Sequence, residues 1–311
     1  LVSFELTILG SSSALPTSNR FPTAHLLKVD ERFFLIDCGE GTQIRLRQLK
    51  INPSRIHHIF ISHLHGDHVF GLFGLLSSMG MMGREVPVNL YGPGRIKEMM
   101  EQHLGYFGPL PFEIRYHSPG KKKNNLIYED EKLTVTTVPL KHRTRTYGYL
   151  FREKQRLLNL RKEQVQEFRP GIADMVRIKR GEDFITSDGR VIPNRMLTYP
   201  PYHQRSYAYI SDTLYDPGLA EQIRGVDLLF HEATFAGNDE QLARKTMHST
   251  SRQAAALAKQ AGAGRLLIGH FSSRYRDLSR LVEEAREIFP GTDGVNDGDR
   301  YSVPLERVAP D

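Results

Sequence analysis

The chain of 311 residues is 39% hydrophobic and 25% charged, a balance that suits a folded soluble protein and excludes a disordered one, and its length allows one large α/β domain or two smaller ones. No apolar run approaches the roughly 18 residues needed to cross a bilayer, and the stretch Leu1-Val2-Ser3-Phe4-Glu5 has no basic segment followed by a long apolar one, so neither a membrane span nor a signal peptide is expected. Its one cysteine, Cys38, excludes an intramolecular disulfide and suits a reducing cytoplasm, while the net charge of +6 and isoelectric point of about 9.3 are compatible with a polyanionic partner such as nucleic acid.

Short β-like runs alternate with helical patterns. Phe4 to Gly10, Ala24 to Val29 and Arg32 to Asp37 read as the first strands, and Gly41 to Leu49 as a short helix. Cys38, at the end of an apolar run, reads as a buried, inert thiol. His58 to Ile61 reads as a buried strand, Gly71 to Met82 as an apolar helix, and Val86 to Tyr91 as a strand ended by Gly92-Pro93-Gly94. Further on, four strands each deliver a polar residue with possible chemistry. Leu133 to Pro139 leads to His142, Ser206 to Ile210 to Asp212, Leu228 to Phe230 to His231-Glu232, and Arg265 to Gly269 to His270. Strand ends are rigid and the loops after them are free to vary, so sites are commonly built there. The mixture of strands and helices, with no long structureless gap, suggests one layered domain over 1–311. Residues 152–195 break the rhythm. They hold 11 Lys/Arg against 7 Asp/Glu, a local +4. Arg152 to Gln166 is polar and helix-prone, Phe168-Arg169-Pro170-Gly171 interrupts it, and a turn is expected at Ser187-Asp188-Gly189-Arg190. This segment reads as an insertion projecting from the core.

The most informative run is Ser62-His63-Leu64-His65-Gly66-Asp67-His68, three histidines and an aspartate within seven positions. Imidazole and carboxylate together suit zinc-like divalent ions. In an extended backbone His63 and His65 project to one side, and Asp67 and His68 can turn toward a second point, so one loop could serve two metals. Downstream, Thr250 and Gln253 have the spacing of a capping box, which puts His248 at the N-terminus of an Ala-rich helix. The helix dipole there disfavours an imidazolium, and a nearby carboxylate such as Glu232 favours it. A Glu–His pair so arranged can deliver a proton to a leaving alkoxide, although a purely structural hydrogen bond is the competing reading.

The H-x-H-x-D-H run resembles that of the metallo-β-lactamase superfamily at every defining position. Together with Asp37-Cys38-Gly39-Glu40-Gly41-Thr42-Gln43, Phe230-His231-Glu232-Ala233-Thr234-Phe235, His248-Ser249-Thr250 and His270-Phe271-Ser272-Ser273-Arg274-Tyr275, it makes nearly the whole chain similar to the short-form ribonuclease Z family of tRNA 3′-processing endonucleases. The resemblance implies an αββα sandwich with a protruding basic arm. It implies that His63, His65 and His142 hold one divalent metal, that Asp67, His68 and His270 hold a second, and that Asp212 bridges them; the donor set suits zinc first, with manganese or iron compatible with its carboxylates. It further implies that Asp67 orients the attacking water, that His248 supported by Glu232 protonates the leaving oxygen, and that Arg274 contacts phosphate near the cut. The arm, 152–195, would grip precursor tRNA through Arg177, Lys179 and Arg180, as phosphate contacts that position without reading bases, and the enzyme would be a homodimer. Three positions depart from the family pattern. The arm has Pro170-Gly171 in place of Gly-Pro, the loop Pro16-Thr17-Ser18-Asn19-Arg20 lacks a lysine, and Ser211-Asp212-Thr213-Leu214 replaces Gly-Asp-Thr-Arg. The competing expectations are a dinuclear hydrolase of a small phosphodiester, thioester or lactone, and a catalytically dead RNA-binding subunit; the second is disfavoured because none of the seven expected ligands is missing.

Overall fold

Strand Arg32–Ile36 explains the architecture in miniature. Phe33 and Leu35 point one way and join a core with the helices Thr42–Gln48, Gly66–Met81 and Arg95–Phe107. Phe34 points the other way, its ring 5.9 Å from Phe151 on a second sheet. Neighbouring Ile56–Phe60 repeats the pattern, with Ile59 on the helix side and Phe60 5.3 Å from Phe151 and 5.2 Å from Tyr149. Side chains alternate with a period of two, so a strand buried on both faces reads as a continuous apolar run. In the computed structural model, which describes residues 3–120 and 125–309, each sheet is therefore covered twice: by the other sheet inside and by helices outside. This is the expected αββα sandwich. Leu1 and Val2, part of the stretch searched for a leader pattern, lie outside the described residues.

The first sheet runs Arg300–Ser302, Phe4–Gly10, Ala24–Val29, Arg32–Ile36, Ile56–Phe60, Val88–Tyr91, Ile114–His117 from edge to edge. Its first four strands are antiparallel, and Arg32–Ile36 onward they are parallel. The second sheet runs Thr292–Gly294, Arg265–Gly269, Leu228–Glu232, Ser206–Ile210, Thr146–Glu153, Leu133–Leu140, Leu126–Glu129, the first four parallel. Helices Ser251–Ala261 and Ser279–Arg286 pack on its outer face through Ala254, Leu257, Ala258, Leu281 and Ala285. Cys38 is fully buried, and burial pushes its thiol up to about 12, which keeps it protonated and inert. Among the described residues, no helix is long and apolar enough to cross a membrane.

The chain divides into two compact units. One takes Leu1–Tyr128, Val135–Phe151 and Ser206–Val303; the other takes Glu129–Thr134, Arg152–Arg205 and Pro304–Asp311. The second unit has a small core of Ile178, Phe184 and Leu197, with Leu160, Phe168 and Ile192 against it. The hairpin Phe184–Ile185/Val191–Ile192 turns through Ser187 and Asp188, as expected. The helix expected from Arg152 is corrected: the strand continues through Glu153, and the helix spans only Lys162–Phe168. Polar composition concealed the strand end because Glu153 is buried against Arg205, whose guanidinium donates to it at 2.7 and 2.9 Å. A buried carboxylate with such a partner satisfies the rule that buried charges are paired.

Candidate active site

The three parallel strands Ser206–Ile210, Leu228–Glu232 and Arg265–Gly269 are in register, Ile210 opposite His231 and Glu232 opposite Gly269. That register sets Asp212, Glu232 and His270 side by side past their carboxyl ends. His142 follows Leu133–Leu140, and His63 and His65 follow Ile56–Phe60 of the other sheet. The next helix begins at Gly66, inside the histidine run and five residues earlier than its apolar periodicity indicated. Polar residues of its first turn hid the start, and Asp67 there is favoured by the helix dipole.

His63, His65, His142 and Asp212 bring ligand atoms within 4.8 Å of one another, and so do Asp67, His68 and His270. Asp212 stands between the groups. Its Oδ2 lies 3.6 Å from His63 Nε2 and 3.8 Å from His142 Nε2, while Oδ1 lies 3.5 Å from His68 Nε2 and 3.2 Å from His270 Nε2. One oxygen thus faces each group. Burial pushes the His63, His65 and His142 imidazoles down, toward the neutral form that binds metal. Burial resists charge on Asp67, but His68 and His270 hold its carboxyl well below the usual range. His68 Nε2 is buried, makes no hydrogen bond, and faces Asp67 and Asp212 at 3.4 and 3.5 Å. An orphaned imidazole nitrogen among carboxylates fits a divalent metal, as does the donor set.

Behind the ligands lies a residue whose part the sequence did not disclose. The Asp37 carboxylate is fully buried and accepts from His68 Nδ1 at 2.7 Å, Tyr209 OH at 2.6 Å, Ser62 Oγ at 2.8 Å and Ser62 N at 2.7 Å. It fixes the His68 ring so that Nε2 faces the carboxylates. The sequence offered two signals, an aspartate ending an otherwise apolar strand and its place at the head of the Asp37–Gln43 run, and neither named its partners. Asp37→Ala is expected to weaken metal binding by roughly 10–100-fold and to lower stability by about 3 kcal/mol through the donors left unpaired; chelator competition and urea unfolding measure the two. Asp37, Met247 and His270 have φ of 55°, 62° and 58°. These left-handed corners aim the site: Met247 O receives His142 Nδ1 at 2.9 Å, and His270 is itself a candidate ligand.

The expected capping box is present. Thr250 Oγ1 accepts from Gln253 N, and the Gln253 side chain accepts from Thr250 N at 3.0 Å. His248 precedes the cap, with Nδ1 3.1 Å from Glu232 Oε1. Glu232 is buried and also accepts from Ser249 N, Thr213 N, Thr234 N and Thr234 Oγ1 at 2.8, 3.2, 2.9 and 2.8 Å. Burial pulls the His248 imidazolium down, but the charge and hydrogen bond of Glu232, with Asp212, lift it to about 9. His248 lines a cavity of about 510 Å³ together with His65, Asp67, His142, Asp212 and His270, and the buried Glu232 joins the site through its bond to His248. Arg274 is exposed, its guanidinium 5.2 Å from the centre of the Phe235 ring, which lies 6.1 Å from His248. In the second unit, Lys179 and Arg180 are exposed at the end of helix Ile172–Lys179, whereas Arg177 donates to Glu182 at 2.8 Å. Arg177 is thus already neutralised locally.

The profile described as "Beta-lactamase superfamily domain" matches residues 195–271, and that of "Anti-Pycsar protein Apyc1" matches 4–108. A ribonuclease Z of Bacteroides thetaiotaomicron is 47% identical over 290 residues, 93% of this chain and 92% of that one. A ribonuclease Z of Parabacteroides distasonis is 46% identical, covering 97% of this chain and all of its own (100%). Among solved structures, human tRNase Z, short form, superposes with a TM-score of 0.69 at 25% identity, over 96% of this chain and 99% of its own.

Proposed function

Since the chain belongs to the ribonuclease Z family, we propose that it is a metal-dependent endoribonuclease that removes the 3′ trailer from precursor tRNA, leaving a 3′-hydroxyl on the tRNA and a 5′-phosphate on the trailer. The observation that carries this reading is that residues of both His/Asp groups and His248 line one cavity, with the buried Glu232 hydrogen-bonded to His248. His63, His65 and His142 would hold one divalent ion, Asp67, His68 and His270 the other, and Asp212 both; the donors suit zinc. Two such ions lower the pKa of water and stabilise the attacking and leaving oxygens of an in-line displacement. Asp67 orients the attacking water. Glu232 holds His248 through Nδ1, and the imidazolium gives its other proton to the leaving 3′-oxygen. Arg274, beside Phe235, contacts a phosphate next to the cut.

We assign the grip on tRNA to Lys179 and Arg180, with Arg177 contributing less because of Glu182. Their joint replacement by alanine is expected to raise KM for precursor tRNA and to lower the salt dependence of binding by roughly one unit of slope per cation. Hydrolysis of a small phosphodiester should be unchanged. The reading includes a homodimer, for which the exposed Met81, Tyr106 and Phe107 on helices Gly66–Met81 and Arg95–Phe107 offer apolar surface.

The test is to incubate the metal-loaded chain with a 3′-extended precursor tRNA and map both product ends. A cut beside the discriminator with the stated ends supports the proposal. An intact precursor, with small phosphodiesters still hydrolysed, overturns it in favour of a small-substrate hydrolase on the same scaffold.

A further inference from the structure

One hydroxyl in the site has been given no task. Thr234 is buried, and its Oγ1 lies 2.8 Å from Glu232 Oε2, 2.9 Å from His270 Nδ1 and, more distantly, 3.3 Å from His248 Nδ1. The direction of these bonds follows from chemistry. His270 Nε2 faces the carboxylates of Asp67 and Asp212, at 3.3 and 3.2 Å, so in the metal-binding tautomer the proton sits on Nδ1. Nδ1–H then donates to Thr234 Oγ1. A hydroxyl has one proton, and the ionised Glu232 carboxylate can only accept, so Thr234 donates to Oε2. His248 Nδ1–H donates to Oε1 of the same carboxylate. The result is a directed chain: His270 to Thr234 to Glu232, met from the other side by His248.

We propose that Thr234 is a positioning residue that joins a metal ligand to the proton donor, fixing the His270 tautomer at one end and the Glu232 carboxylate at the other. The proposal rests on the assignment of His270 as a ligand and of His248 as the acid. No other side chain could do both, because the backbone N–H of Thr234 reaches only Glu232 Oε2, at 2.9 Å, and His270 Nδ1 has no other hydrogen-bond partner among the described residues. Removal of the hydroxyl would leave His270 Nδ1 free to take the wrong tautomer, and would take from Glu232 Oε2 its one side-chain donor, loosening the carboxylate that holds His248.

Thr234→Val keeps the shape and loses the hydroxyl, whereas Thr234→Ser keeps the hydroxyl and loses a methyl. Three quantities are measured on wild type and both variants: zinc affinity, by competition with a chromophoric chelator; cleavage of precursor tRNA; and hydrolysis of a nitrophenyl phosphodiester, whose leaving group needs no proton. Thr234→Val is expected to lose roughly 10–100-fold in zinc affinity. At saturating zinc its precursor cleavage should remain roughly 10–100-fold down, with nitrophenyl ester hydrolysis close to wild type. Thr234→Ser should restore both zinc affinity and precursor cleavage. A purely structural role would lower thermal stability and reduce the two hydrolyses in parallel, and that result overturns the proposal. So does a Thr234→Val chain with wild-type zinc affinity. If the wild type itself neither holds zinc nor cuts the precursor, the functional reading fails first, and this outcome is distinct because it needs no variant.

Discussion

Replacement of His248 by alanine is expected to slow precursor cleavage by about 10²–10⁴-fold, the range associated with loss of a general acid, with metal content unchanged. His248 is not among the seven residues that would hold metal, and its Nδ1 is engaged by Glu232, so the deficit should fall on the chemical step. The leaving group decides the size of the loss. A ribose 3′-oxygen departs as a strongly basic alkoxide unless protonated, whereas nitrophenolate departs unaided, so a nitrophenyl phosphodiester should be cut almost as fast by His248→Ala as by the wild type. Equal losses on both substrates would refute the acid role. The pH dependence has a definite sign. The folded-state pKa of about 9 lies above the ordinary 6.5 of histidine, so the donor form is fully present below about 6.5 in either state and is lost as pH rises through the folded value. Divalent ions engaging Asp212 would draw that value down, because they offset one of the charges sustaining it. Glu232→Gln removes the larger sustaining charge, and should shift the alkaline limb of the rate profile to lower pH.

Asp212→Ala is expected to abolish activity by a different route. This carboxylate turns one oxygen to each group of candidate ligands, with four imidazole nitrogens between 3.2 and 3.8 Å from it. Its removal takes a ligand from both metals at once and leaves buried imidazoles facing one another. If the metals contribute several kcal/mol to the transition state, the loss is on the order of 10³–10⁴-fold or more at each tenfold per 1.4 kcal/mol. Atomic absorption should find two zinc ions per wild-type chain and fewer in the variant, and exhaustive chelation of wild type should reproduce the variant's inactivity, with recovery on adding zinc back. A variant that keeps two ions would show that Asp212 does not bridge. In contrast to His248→Ala, the nitrophenyl ester should not be spared.

These two residues illustrate unequal legibility. The candidate ligands could be picked out because metal chemistry demands particular side chains, and the run from His63 to His68 crowds four of them into six positions. Their grouping around Asp212 depends on the register of three parallel strands, which no local pattern displays. Asp37 and Thr234 sit in runs that carried the resemblance, but their parts were not legible, for a related reason. A carboxylate after Ile36 or a hydroxyl after Ala233 looks like any polar residue closing an apolar strand, and its partners are far away in the chain: 31 residues separate Asp37 from His68, and 36 separate Thr234 from His270. The helix start at Gly66 was hidden by the ligands within its first turn. The strand end at Glu153 was hidden by a charge that finds its counterion only at Arg205, 52 residues on. The sandwich itself came from resemblance, because strands such as Arg32–Ile36 are apolar on both faces and show no preferred side.

The left-handed corners and the distant partners carry a consequence for how the molecule is kept folded. His270 meets Asp67 across 203 residues of sequence, and contacts of such span form only when most of the chain is in place. A metal ion recognising ligands from both sheets therefore binds the native chain and has little purchase on the unfolded one. Its binding energy becomes folding energy, growing with the logarithm of free ion concentration. Ions held by these groups would act as rivets between the two halves of the sandwich, and a cell starved of the metal would lose the protein to its proteases as well as its chemistry.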